Sequence, residues 1–391
     1  MMTLPKPLQR AAVLLVAAQL LLTTPAHGFS IGEERLLGEQ LLFAVRGEFD
    51  LLDDPDISQY INGLGRQVLE AAGPQYFDYH FFVVKNNQFN AFAAPSGLIF
   101  FNTGLIKVMK SEDQLVSVIA HEVGHVVSRH IASRMAKQTK VTALSMLFAL
   151  ASLATGNPAL TQGLFTSSIA AGSAAGLSFS REDEEEADRL GFDLLRSMGR
   201  NPAEMEEMMK NLRRVARYSS EQLPPYLLTH PNPEDRLHYV QSLLERHKNE
   251  LAGSPKKPTD NFAFLRFKYR VLAQTLETDD MRNACAAVIA SDKDPQEIGM
   301  AHYGLALLSA KEMDFSTALR LLEQVRQEIP GREIFDIDLA VLQLEAGQTK
   351  QALELLRRAH QRNPSDLYAA FHLARALEKI GDLAGAERLQ L

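Results

Sequence analysis

From Ser111 onward, apolar residues recur with the period of an α-helix. Leu115, Val118, Ile119, Val123 and Val126 line one side of it. Ala120, Gly124, Ser128 and Ala132 are small and leave room for a second element to approach closely. Ser111-Glu112-Asp113-Gln114 reads as a capping box, with Gln114 reaching back to the Ser111 N–H. A second helix opens at Ser180, again with a capping box to Asp183, and its inward side is Ala187, Leu190, Gly191, Leu194 and Leu195. It is expected to stop near Gly199, with Pro202 beyond. Phe81, Val83, Phe89 and Leu98 to Phe101 predict short strands, with Pro95-Ser96-Gly97 as a turn. Pro231 and Pro233 mark a turn before a helix over Glu234 to Arg246.

The C-terminal part repeats. Ala284, Ala318, Ala352 and Ala386 are 34 residues apart, as are Leu305, Leu339 and Leu373, Leu321, Leu355 and Leu389, and Pro330 and Pro364. That period, with small residues at fixed helical positions, is the tetratricopeptide signature of an α-solenoid. Three repeats are expected from about 296 to 391 and a degenerate one from about 262. Such stacks present a concave surface for peptides or partner proteins. Asn249 to Asp260 carries Gly253-Ser254-Pro255 and Lys256-Lys257-Pro258 and reads as a linker. The fold class is therefore mainly α with a small β-sheet, in domains at 29–250 and 262–391 joined by 251–261.

Residues 1–28 read as an export signal: Lys6 and Arg10, an apolar run from Ala11 to Leu22, then Ala26-His27-Gly28. The run is too short to span a bilayer. The lone Cys285 allows no internal disulfide, which with export fits a Gram-negative periplasm. A net charge of -7 argues against nucleic acid. No charged residue lies between Lys140 and Arg181. The expected reading is a pair of apolar helices beside the cleft; peripheral contact with a membrane or an unfolded client is the alternative.

Against this frame His121-Glu122-Val123-Gly124-His125 stands out. Histidines four apart lie one above the other on a helix and can hold one Zn2+ between them. Glu122 can take a proton from an activated water, as in the H-E-x-x-H zinc peptidases. A catalytic zinc needs a third ligand. Ser128 and Ile131 exclude the class with a histidine shortly after the motif, so a glutamate from the helix after Ser180 is sought. Glu184 shares the inward side with Ala187 and Gly191, whereas Glu182 and Glu186 face away. Asp188 borders that side and suits an acceptor for a ligand histidine N–H. His230, held between Thr229 and Pro231, either approaches the metal or bonds the loop; Arg236 is a weaker candidate nearby. His130 does not stack with the other two histidines and reads as a surface residue.

These residues, with Ser180-Arg181, Asn90-Ala91-Phe92-Ala93-x-x-x-Gly97 and Thr229-His230-Pro231, make the chain resemble the M48 zinc metallopeptidases, specifically a periplasmic branch with tetratricopeptide repeats. The resemblance implies a zincin-like peptidase domain, one zinc per chain and Glu184 as a zinc ligand. It places a substrate-binding sheet edge at Asn90, Ala91, Phe92 and Ala93, where a client adds as a strand. It further implies unfolded or misassembled protein substrates and the outer-membrane β-barrel assembly machinery as partner of the repeats. The rival reading is a chaperone or scaffold with repressed or absent proteolysis, which a closed zinc with His230 as fourth ligand would favour.

Overall fold

The computed structural model describes residues 30–137, 178–218, 224–253, 259–291 and 293–390. Residues 1–28, expected to be an export signal, most of the uncharged stretch and residues 254–258 of the expected linker lie outside these. No helix among the described residues is long and apolar enough to cross a membrane. Contacts divide the chain into two units, residues 1–52 with 61–259 and residues 53–60 with 260–391.

The first unit opens with α1 (Ile31–Glu48), capped by Ser30 and Glu33, and takes in most of α2 (Pro55–Ala72). Three strands follow: β1 (His80–Val84), β2 (Ala91–Ala94) and β3 (Leu98–Asn102). Their order is β1-β3-β2, with β3 parallel to β1 and antiparallel to β2. β2 is thus an outer strand of the sheet. Phe89 falls just outside it, buried with its ring edge-on to Tyr226. The turn at Pro95–Gly97 is a short 3-10 segment in which Ser96 and Gly97 both have positive φ. A side chain at Gly97 would strike the Tyr79 ring, so glycine is required twice over there.

Next come α3 (Thr103–Val108), α4 (Glu112–Val127) and α5 (His130–Lys137). After the undescribed stretch, α6 (Arg181–Ser197), α7 (Ala203–Tyr218), α8 (Pro225–Thr229), α9 (Pro233–Arg246) and α10 (Lys248–Gly253) complete the unit. Ser111 caps α4 as expected, its hydroxyl accepting from Gln114 N–H. Gln114 differs: its carbonyl takes the Lys110 N–H at 2.9 Å, while its amide and the Ser111 hydroxyl both donate to Glu204 Oε2 at 2.9 Å. Arg200 bonds Glu112 and Asp113 at 2.6 and 2.9 Å and fixes this end of α4 to the turn after α6. The capping box at Ser180 and Asp183 forms in full.

α4 and α6 pack almost backbone to backbone. A Cβ on Gly124 would lie 3.2 Å from the Ala187 Cα, and one on Gly191 3.4 Å from the His121 nitrogen. This approach sets short side chains of α6 against the histidines of α4.

The second unit is four helix pairs: α11 (Phe262–Thr275) with α12 (Thr278–Ser291), α13 (Pro295–Lys311) with α14 (Phe315–Glu328), α15 (Ile334–Glu345) with α16 (Thr349–Arg362), and α17 (Leu367–Lys379) with α18 (Leu383–Gln390). Ala318, Ala352 and Ala386 are buried, as the period requires. The first pair departs from it: Ala284 is exposed and Cys285 takes the inner place, its sulfur against Gly304. Beneath the pairs lies an ionic cluster. Arg266 holds Asp338 through two bonds of 2.8 and 2.6 Å and Asp56 through one of 2.6 Å, while Arg270 reaches Asp54 at 2.8 Å. Residues 53–60 belong to this unit through these bonds.

Candidate metal centre

His121, Glu122 and His125 project from α4, Glu184 and Asp188 from α6, and His230 from the C-terminal end of α8. Helical spacing alone delivers the first five to one place once α4 and α6 are in contact. His230 is held by other means. Its N–H donates to Tyr226 O at 2.8 Å, its ring stacks on the Tyr226 ring, and Phe179 N–H donates to Thr229 O at 2.8 Å.

Atoms able to bind a metal on His121, His125, Glu184 and His230 all lie within 4.8 Å of one another, and all four side chains are buried. His121 and His125 bring their Nε2 atoms within 3.1 Å, and His230 Nδ1 lies 3.3 Å from the former. Glu184 Oε1 is 2.9 Å from His230 Nδ1 and 3.6 Å from His125 Nε2. Neutral imidazoles carry one N–H each, and those of the two α4 histidines have acceptors on their far side. Nitrogen lone pairs and a carboxylate therefore face one another in a buried site, an arrangement that a divalent cation satisfies. Among the described residues His230 Nε2 has no hydrogen-bond partner, and it lies 3.6 Å from Glu122 Oε1. The donor set fits a metal of the zinc class, nitrogen and oxygen in a compact group.

Burial, together with Arg236, keeps His121 below the usual imidazole range and His230 well below it, and burial with the neighbouring histidines holds His125 well below it too. All three stay neutral, the form that binds metal. Burial raises Glu184 to about 7, against the pull of Arg236. Glu122 rises to about 8 through burial and the adjacent Glu184 charge. Any cation at the centre would draw both back down.

Asp188 sits behind His121, with Oδ1 2.9 Å from its Nδ1. Burial alone would raise this carboxyl; Arg236, bonded to it at 2.9 and 2.7 Å, holds it well below the usual carboxylate range. Arg236 also lies 2.9 Å from Glu184 Oε2. Sequence reading ranked this arginine low, yet it joins the two buried carboxylates of α6, Glu184 and Asp188. No periodicity announces that, because the contact is made across helices.

His130 corrects the sequence reading outright. It is buried, not on the surface, with Nδ1 3.0 Å from His125 Nδ1. α4 ends at Val127, and Arg129 takes a left-handed φ of 55° before α5 begins. That break swings His130 back toward His125. Phe179 was also missed; it stacks on His125 with ring centres 3.9 Å apart.

Ala91, Phe92 and Ala93 lie in β2, at the sheet edge, and Asn90 extends the pairing by accepting from Asn102 N–H at 3.0 Å. The strand packs against α4, and the Ala93 backbone faces the Glu122 carboxylate.

Comparison with known proteins agrees with this geometry. The model of peptidase family M48 matches residues 55–244, and a tetratricopeptide repeat model matches residues 309–359 and 343–389. The β-barrel assembly-enhancing protease of Escherichia coli K12 is 31% identical over 348 residues, covering 86% of this chain and 68% of that protein. Its counterpart in Yersinia pestis is 30% identical over 337 residues, with the same coverage of each. A mitochondrial metalloendopeptidase of Arabidopsis thaliana is 34% identical over 157 residues, 39% of this chain and 29% of its own length.

Proposed function

This chain belongs to peptidase family M48, and on that footing we propose an exported zinc endopeptidase that cuts misfolded or misassembled envelope proteins during outer-membrane β-barrel assembly. The carrying observation is the meeting of His121, His125 and Glu184 from two helices, their metal-binding atoms within one 4.8 Å group. These three would hold one Zn2+ per chain. When bound, it supplies a Lewis acid that polarises a peptide carbonyl and acidifies water.

The remaining chemistry belongs to the protein. Glu122 takes the proton of the attacking water and returns one to the leaving amine. Asp188 fixes the His121 ring through its Nδ1–H and is itself kept ionised by Arg236. A client adds as a strand along Asn90 to Ala93, beside Glu122, so recognition rests on backbone pairing more than on sequence. The repeats, from 262 to 391, recruit the assembly machinery, and residues 1–28 direct the chain to the periplasm of a Gram-negative bacterium. The peptidase domain spans 29–250 and the linker 251–261. Membrane contact by residues 141–179 falls mostly outside the described residues.

The test is metal removal from the full-length protein. Chelation should abolish cleavage of an unfolded outer-membrane β-barrel protein, and stoichiometric Zn2+ should restore it. Cleavage that survives complete chelation sinks the proposal.

One observation favours a repressed form of the same enzyme. His230 Nδ1 belongs to the same group of metal-binding atoms, 2.9 Å from Glu184 Oε1 and 3.3 Å from His121 Nε2. As a fourth ligand this imidazole would take the position that water needs, as the scaffold reading requires. His230→Ala should then raise the rate on an unfolded client severalfold while zinc stays bound. A fall in rate would assign His230 to substrate or transition state instead.

A further inference from the structure

Both histidines of α4 point Nε2 into the proposed zinc centre, which requires the proton of each neutral ring to sit on Nδ1. For His121 the acceptor of that proton is Asp188. For His125 the atom opposite is not an oxygen but the Nδ1 of His130, 3.0 Å away. Two ring nitrogens can share one hydrogen bond only if one of them is bare. With His125 donating, His130 must accept on Nδ1 and carry its own proton on Nε2. That nitrogen faces two acceptors from α6, Glu186 Oε2 at 3.4 Å and Asp183 Oδ1 at 3.7 Å.

We propose that His130 is a positioning residue for zinc, fixing the tautomer and orientation of His125 through a chain from His125 to His130 to Glu186. The fold is built for this relay. Arg129 in its left-handed conformation ends α4, and its guanidinium bonds the buried Glu34 at 2.9 Å. Ser128 Oγ–H donates to the other oxygen of Glu186 at 3.1 Å. The His130 ring is therefore returned to His125 by a braced turn and met on its far side by a braced carboxylate. Phe179 on the face of His125 leaves the ring little freedom to turn. The two ligand histidines are consequently oriented differently, one by a charged carboxylate and one by a neutral imidazole.

The inference rests on the zinc reading and is tested by zinc affinity, measured by chelator competition on full-length protein. His130→Leu removes the acceptor and should weaken zinc by ~10–100-fold, the usual effect of losing a partner of a ligand histidine. His130→Asn offers Oδ1 where Nδ1 stood and should stay within about threefold of the wild-type affinity. Glu186→Ala, at the exposed end of the chain, should cost a few-fold at most and covers the case in which the leucine variant fails to fold. The metal-free melting temperature of each variant is recorded beside its affinity. Wild-type affinity in His130→Leu, or equal losses in the leucine and asparagine variants, overturns the proposal and reduces His130 to packing. A wild-type chain that binds no zinc overturns the metal centre itself, a distinct result.

Discussion

Glu122→Gln is expected to cut proteolysis by ~10²–10⁴-fold, the range for removing a general acid–base, with zinc content unchanged. The substitution keeps shape and volume and removes only the ability to take and return a proton. Glu122 is fully buried, its carboxylate faces the Ala93 backbone of β2, and His230 Nε2 lies 3.6 Å from its Oε1. Burial and the adjacent Glu184 both disfavour its charged form. A second measurement separates this role from a structural one. In the metal-free chain the carboxyl titrates at about 8 against an ordinary 4.5, so folding favours its protonated form. That contribution to stability is complete below pH 4.5 and is lost as pH rises toward 8. The metal-free glutamine variant should thus match the wild type in acid and exceed it in stability above pH 8. Persistent cleavage in Glu122→Gln would remove Glu122 from the mechanism.

The centre was legible in the sequence wherever it depends on helical repetition. His121 and His125 are four apart, and Glu184 follows from its phase relative to Ala187 and Gly191. Gly124 and Ala120 announced the close contact that Gly124 and Ala187 make. What stayed hidden depends on breaks and on contacts between distant segments. The left-handed Arg129 has no marker in sequence, since such conformations ordinarily point to glycine or asparagine. Without it His130 looks out of phase. Arg236 is one basic residue in a polar helix until α9 lies against α6. In the repeats the alanine period held except at Ala284, where Cys285 fits the space beside Gly304, a choice made by the neighbouring helix. The ionic tie of residues 53–60 to the repeats spans more than 200 positions between Asp56 and Arg266, beyond the reach of any periodic signal.

That tie sets the second large expectation. Asp338→Asn should destabilise the repeat unit by ~3–5 kcal/mol, the cost of removing one member of a buried ion pair. Asp338 is buried and is gripped twice by Arg266, with Tyr368 O–H donating at 2.9 Å. Burial would raise its carboxyl, but Arg266 and Arg270 more than reverse that and hold it below the ordinary 3.8. Removing the charge leaves two buried guanidiniums with only Asp54 and Asp56 to share. Because the folded-state value is depressed, this stability is present above about pH 3.8 and is lost as acid protonates the folded chain. The gap between wild type and variant should therefore be widest near neutrality and close in strong acid. Hydrogen exchange over α11 and α15 reads it locally, free of the candidate metal centre. Faster exchange there at pH 7, with proteolysis of a small unfolded substrate unchanged, would separate the solidity of the repeats from the chemistry. Equal protection in both proteins would mean that packing of the helix pairs, and not this cluster, carries the unit.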